Sequence, residues 1–133
     1  MEEEGFLGFW RLLSFDLVFE GGAKEPFARN KVSGFLYYGK DKNMSVSLFE
    51  EKTGRVLTTY TGPYKKSGDF VVHYPFLGSS PNGLKKPKKR RMTLLGDLLY
   101  LESSFYEEKH PLHKGRFKHV LHFKKVHEGL LKL

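Results

Sequence analysis

Six histidines and seven tyrosines are the side chains of this 133-residue chain that invite a search for chemistry. Histidine can act as acid, base or metal ligand near neutral pH, and tyrosine joins an apolar ring to a hydroxyl that can orient a bound molecule. Spacing limits what they can do. His119 and His122 are three residues apart, so in an extended strand they face oppositely and cannot share a metal ion. His110 and His113 have no carboxylate at ligand spacing beside them. Cysteine is absent, which excludes disulfides, thiolate metal sites and a cysteine nucleophile. No Gly-x-Ser-x-Gly, phosphate loop or His-Glu-x-x-His occurs. The expectation is therefore no metal, no cofactor and no catalytic set of a known pattern. His119 stands apart, because it alternates with Phe117, Leu121 and Phe123 on an apolar face where a bare imidazole is costly. It is a candidate pocket residue.

The elements that must position these groups are short strands. Turn signals recur at nearly even intervals, among them Glu20-Gly21-Gly22, Gly39 to Asn43, Lys65 to Asp69 and Gly96-Asp97. Between the turns lie eight segments rich in β-branched and aromatic residues, at 9–19, 31–38, 43–50, 55–61, 69–76, 89–95, 98–105 and 116–126. Several alternate with period two, as in Met44, Val46 and Leu48 against Ser45 and Ser47. No segment sustains a helical apolar stripe over three turns, and His127 to Leu133 is the one short helix candidate. The fold class this implies is all-β: one domain over 1–133, a closed antiparallel up-and-down β-barrel of about eight strands. In the first strand Leu13, Phe15, Leu17 and Phe19 alternate with Leu12 and Val18, so both faces are apolar, and the same holds at 31–38. An outward apolar set is a surface for another chain, which points to a homodimer.

The formal charge is +8, much of it concentrated in Lys85 to Arg91. That run lies in a loop feeding a strand and has no interleaved aromatics to stack on bases, so the reading is against nucleic acid and for a solvated loop touching an anionic ligand. No stretch approaches the roughly 18 apolar residues of a membrane span, and the start is acidic, so a cytoplasmic protein without membrane insertion is expected.

A family resemblance joins these observations. Gly8-Phe9-Trp10 resembles the Gly-x-Trp opening of lipocalins and fatty-acid-binding proteins, where the Trp packs across the closed end of the barrel. Further segments are similar to the bacterial and fungal lipocalin-like domain family: Gly34 to Tyr38, Met44-Ser45, Tyr60 to Tyr64, Val72-His73, Pro81-Asn82, and Arg91 ahead of Leu95 to Leu101. The resemblance implies a calycin-type barrel with Gly8 and Trp10 as structural residues of one end. It also implies a cation stacked on Trp10, for which Arg116, Lys124 and Lys125 are the candidates, and a role for His73. The Arg and Tyr pair that grips a carboxylate in fatty-acid-binding proteins is not found.

The function expected is binding of a small hydrophobic or aromatic molecule inside the barrel. Its polar handles would come from Tyr38, Tyr60, Tyr64, His73, Arg91 and His119, with Leu36, Met44, Leu101 and Phe123 as walls. Two alternatives stay open. One is a small acid–base isomerase or cyclase using a His/Tyr pair, and the other is a binder of an anionic partner through residues 85–91.

Overall fold

The computed structural model describes residues 5–79, 86–104 and 116–127, and among them there is no helix. Ten strands form: β1 (Gly8–Phe19), β2 (Lys24–Pro26), β3 (Val32–Tyr38), β4 (Asn43–Glu50), β5 (Val56–Ser67), β6 (Phe70–His73), β7 (Leu77–Gly78), β8 (Lys88–Leu95), β9 (Leu98–Glu102) and β10 (Phe117–Lys125). Eight of them make an antiparallel barrel in the order β1-β3-β4-β5-β6-β8-β9-β10, closed by β10 returning to β1. That seam runs from Trp10 opposite Lys125 to Phe19 opposite Phe117. The two remaining strands are short additions, β2 on β1 and β7 on β5. Most of the helix candidate at 127–133 lies outside the described residues. No described helix is long and apolar enough to cross a membrane.

Alternation dictates the interior. Leu36, Tyr38, Met44, Val46, Leu48, Leu99 and Leu101 point inward and are buried, while Ser45, Ser47 and Tyr100 between them are partly exposed. The tight hairpins use glycine where the chain needs positive φ, at Gly68 (56°) between β5 and β6 and Gly96 (60°) between β8 and β9. Gly62 answers a different need, close approach. A Cβ there would collide with the carbonyl oxygen of Tyr74, where the segment after β6 folds back along β5.

The first strand explains its own two-faced pattern. Against β10, Leu12 pairs with Phe123 and Ser14 with His122, so Leu13 is an extra residue, a β-bulge. The bulge changes which parity points inward. Trp10 and Leu12 face the interior before it, and Phe15, Leu17 and Phe19 after it. The apolar alternation expected to form an outward patch is therefore spent largely inside the barrel, leaving Leu13 as the one residue of β1 among the exposed large hydrophobics, at 39%. A homodimer built on β1 loses its premise.

The end where β1 begins is filled. Trp10 is fully buried, and its indole Nε1 donates to the carbonyl of Phe6 at 2.8 Å. The Lys125 ammonium lies 4.8 Å from the Trp10 ring centroid and also donates to the carbonyl of Leu7. Of the three candidate cations, Lys125 is thus the one over the indole, whereas Arg116 pairs with Glu20 at the opposite end. Phe6 meets Tyr38 and Tyr64 edge-on, with centroids 5.4 and 5.8 Å away.

Candidate functional site

Toward the other end the interior opens into a cavity of about 200 Å³. Its apolar walls include Phe15, Leu36, Val46, Leu48, Leu121 and Phe123. Phe27, from the segment after β2, closes over this wall by stacking on Phe15 at 4.2 Å with the rings 5° apart. The His119 ring stands edge-on to both phenyl groups, at 5.4 Å from each.

His73, at the end of β6, is 2% exposed and lies between two phenols. Tyr38 Oη is 2.6 Å from its Nε2, and Tyr60 Oη is 2.8 Å from its Nδ1. Tyr38 comes from β3 and Tyr60 from β5, so three strands position this chain of hydrogen bonds. Its direction follows from burial. A neutral imidazole has one donor and one acceptor nitrogen. Among the described residues Tyr38 has His73 as its hydrogen-bond partner, and its hydroxyl is fully buried, so the proton of Tyr38 goes to Nε2. Nδ1 then carries the imidazole proton and donates to the Tyr60 oxygen. Tyr60 lines the cavity, and its own proton points away from the imidazole.

Electrostatics hold these groups neutral. Burial, and then the charges of Arg90 and Lys88, lower the pKa of His73 from 6.5 to about 3. The same causes in the same order lower His119 to about 4. Burial pushes the Tyr38 phenol well above its usual range. Lys88 and Arg90 line the cavity themselves, and among the described residues no Asp or Glu does. Burial and the neighbouring Arg90 and Lys86 also lower the Lys88 ammonium.

The six residues expected from the sequence are distributed as follows. Tyr60, His73 and His119 line the cavity, and Tyr38 stands behind His73 as its partner. Tyr64 does not reach it: its hydroxyl donates to the carbonyl of Gly39 at 2.8 Å within the filled end. The physical reason is length, because β5 continues to Ser67 and carries Tyr64 past the cavity. Arg91 lies on the outer face, over the Phe70 ring at 4.8 Å and 3.7 Å from Asp69. Its neighbours Lys88 and Arg90 take the inward positions, and sequence reasoning missed them within the basic run it singles out. A signal exists in β8, where Thr93 separates Met92 from Leu94 and marks the even-numbered positions as inward. Phe27 was missed as well. Gly8 and Trp10 sit at the filled end as structural residues. Of the four expected wall residues, Leu36, Leu101 and Phe123 line the cavity, and Met44 is buried in the core beside it.

Among the described residues no cluster of three or more His, Cys, Asp or Glu side chains could hold a metal ion. His110 and His113 lie outside the described residues. Comparison with protein-family models, with curated proteins and with solved structures gives no significant match.

Proposed function

We propose that the chain is a lipocalin-like binding module that takes one small molecule with an aromatic or apolar body into the barrel. The observation that carries this reading is the cavity of about 200 Å³, where aliphatic and aromatic walls surround a few convergent polar groups. A barrel of eight strands is just wide enough to be filled by its own side chains, and this one is filled at the Trp10 end and hollow at the other. Titration calorimetry with 2-phenylethanol, a neutral one-ring probe, tests it. The wild type should bind, and Leu121→Trp, which fills the cavity, should abolish binding while the protein stays folded. Equal behaviour of the two proteins would overturn the reading.

The chain Tyr38–His73–Tyr60 favours a second reading, an acid–base isomerase or cyclase acting through Tyr60 at the cavity surface. Protein-dependent exchange of phenylacetone α-protons with deuterated solvent, lost in Tyr60→Phe, is the result this reading requires. The reading through residues 85–91 as an outer basic surface is weakened because Lys88 and Arg90 line the interior.

A further inference from the structure

We propose that the cavity is built for a one-ring aromatic carboxylate, its ring among Phe15, Phe27 and Phe123 and its anion held by Lys88 and Arg90. The inference rests on the binding reading above and specifies the ligand's charge and size.

Charge around the cavity is unbalanced. Lys88 and Arg90 stand at alternate positions of β8, so their side chains leave the same face of the strand, with backbone origins about 6.6 Å apart. Both line the cavity, and among the described residues neither forms an ion pair. Some cations on the surface pair with acids, Arg55 with Glu50, Arg116 with Glu20 and Lys118 with Glu102. The outward residues of β8, Lys89 and Arg91, rest on the face of Phe70. Of the inward pair, Lys88 lies over the Tyr60 ring at 5.8 Å and Arg90 donates to the carbonyl of Lys89. Their partners are neutral, and the wall they line holds no described carboxylate. Two like charges at an apolar cavity are unfavourable for the empty protein, and an anion placed between them removes that cost. The remaining polar groups of the wall fit the same ligand. His73 and His119 are neutral, so they add no charge of their own, and the Tyr60 hydroxyl can donate to a carboxylate oxygen.

Volume sets the size of the guest. An apolar cavity of about 150 Å³ accommodates benzene. The roughly 200 Å³ of this cavity adds space for a small substituent and falls short of the range, from about 300 Å³, typical of drug-sized ligands. Stacked and edge-on rings at Phe15, Phe27 and His119 offer an aromatic guest both packing geometries that rings prefer.

The experiment compares phenylacetate with phenylacetamide, its neutral counterpart, by titration calorimetry on the whole chain. Phenylacetate should bind roughly ten- to a hundredfold more tightly, the range expected of hydrogen bonds to a charged group. The double variant Lys88→Met/Arg90→Met should bring the two ligands within about twofold of one another, because it keeps the wall and removes the charge. The outward variant Arg91→Met should leave the ratio of the wild type intact. Thermal unfolding of each variant checks that the barrel persists. If the wild type binds both probes equally, the binding reading stands and the proposed charge selectivity is wrong. If inorganic phosphate binds as well as phenylacetate, the site holds anions without reading the ring, and the proposal fails. If neither probe binds, both the proposal and the reading beneath it are overturned. Should the double variant unfold, Arg90→Gln alone decides, and an unchanged phenylacetate preference there would overturn the assignment.

Discussion

Tyr38 and His73 lie 35 positions apart in the chain, and their side chains meet at 2.6 Å in the wall between the packed core and the cavity. The contact belongs to both regions. Tyr38 packs edge-on against Phe6 and Tyr64, with centroids 5.4 and 5.0 Å away, and its hydroxyl fixes the ring of a cavity residue. The filled end thereby sets the orientation of the site.

Removing that hydroxyl isolates a buried nitrogen. Tyr38→Phe should destabilise the protein by about 1–3 kcal/mol, the cost of a buried polar atom left without a partner. Tyr60→Phe should cost less, because Tyr60 borders a cavity where water can take its place. Urea unfolding of both variants measures the difference. Nitrogen-15 spectra of the wild type should show His73 protonated at Nδ1.

Stability should fall in acid with a slope assigned to two residues. In the unfolded chain histidine takes up its proton near pH 6.5. In the folded protein His73 does so at about 3 and His119 at about 4. The unfolded state therefore binds more protons in the window between, so stability is unaffected above pH 6.5 and is lost as the pH drops toward 4. Each histidine contributes at most about 1.4 kcal/mol per pH unit. Urea midpoints from pH 7 to 4 test this, and His73→Phe should flatten the slope by about half.

Trp10→Ala should cost about 3–5 kcal/mol, as expected for a fully buried aromatic. Lys125→Met, which removes the cation over the indole and keeps the aliphatic stem, should cost about 0.5–2 kcal/mol. Thermal unfolding of the two variants should rank them in that order.

The bulge supplies a sharper test. Leu13→Asp should change stability by no more than about 0.5 kcal/mol, because Leu13 is the exposed extra residue. Deleting Leu13 should leave the barrel folded, since Leu12 and Ser14 already oppose consecutive residues of β10. Inserting a residue after Ser14 should instead prevent folding, since that shift would turn Phe15, Leu17 and Phe19 outward. Circular dichroism and urea unfolding distinguish the two.

All eight barrel strands are legible from turns and alternation, because both are local. The added strands β2 and β7 are not, since three and two residues carry no period. By pattern alone the fourth segment ends at Thr61, just before Gly62-Pro63. The strand passes through to Ser67 because it changes partners there, from β4 to β6, and proline is tolerated at such a switch. At the site, Tyr60 and His73 are reached from residue type and the resemblance to lipocalin-like domains, and His119 from the apolar alternation around it. Tyr64 and Arg91 go astray for two geometric reasons, depth along the barrel axis and strand parity. Neither quantity is carried by a residue alone. Depth depends on how far each strand extends, and parity is reset by a single bulge.

The seam between β1 and β10 joins Trp10 to Lys125 across more than a hundred intervening residues. A contact of such long range is slow to form, because loop closure must be met before the pairing stabilises anything. Synthesis runs in one direction, so β1 leaves the ribosome well before the strand that will cover its edge. During that interval its backbone donors and acceptors, and the side chains of Phe15, Leu17 and Phe19, face other chains in the same condition. The yield of folded barrel should therefore depend on protein concentration and on chaperones more than the stability of the finished molecule suggests.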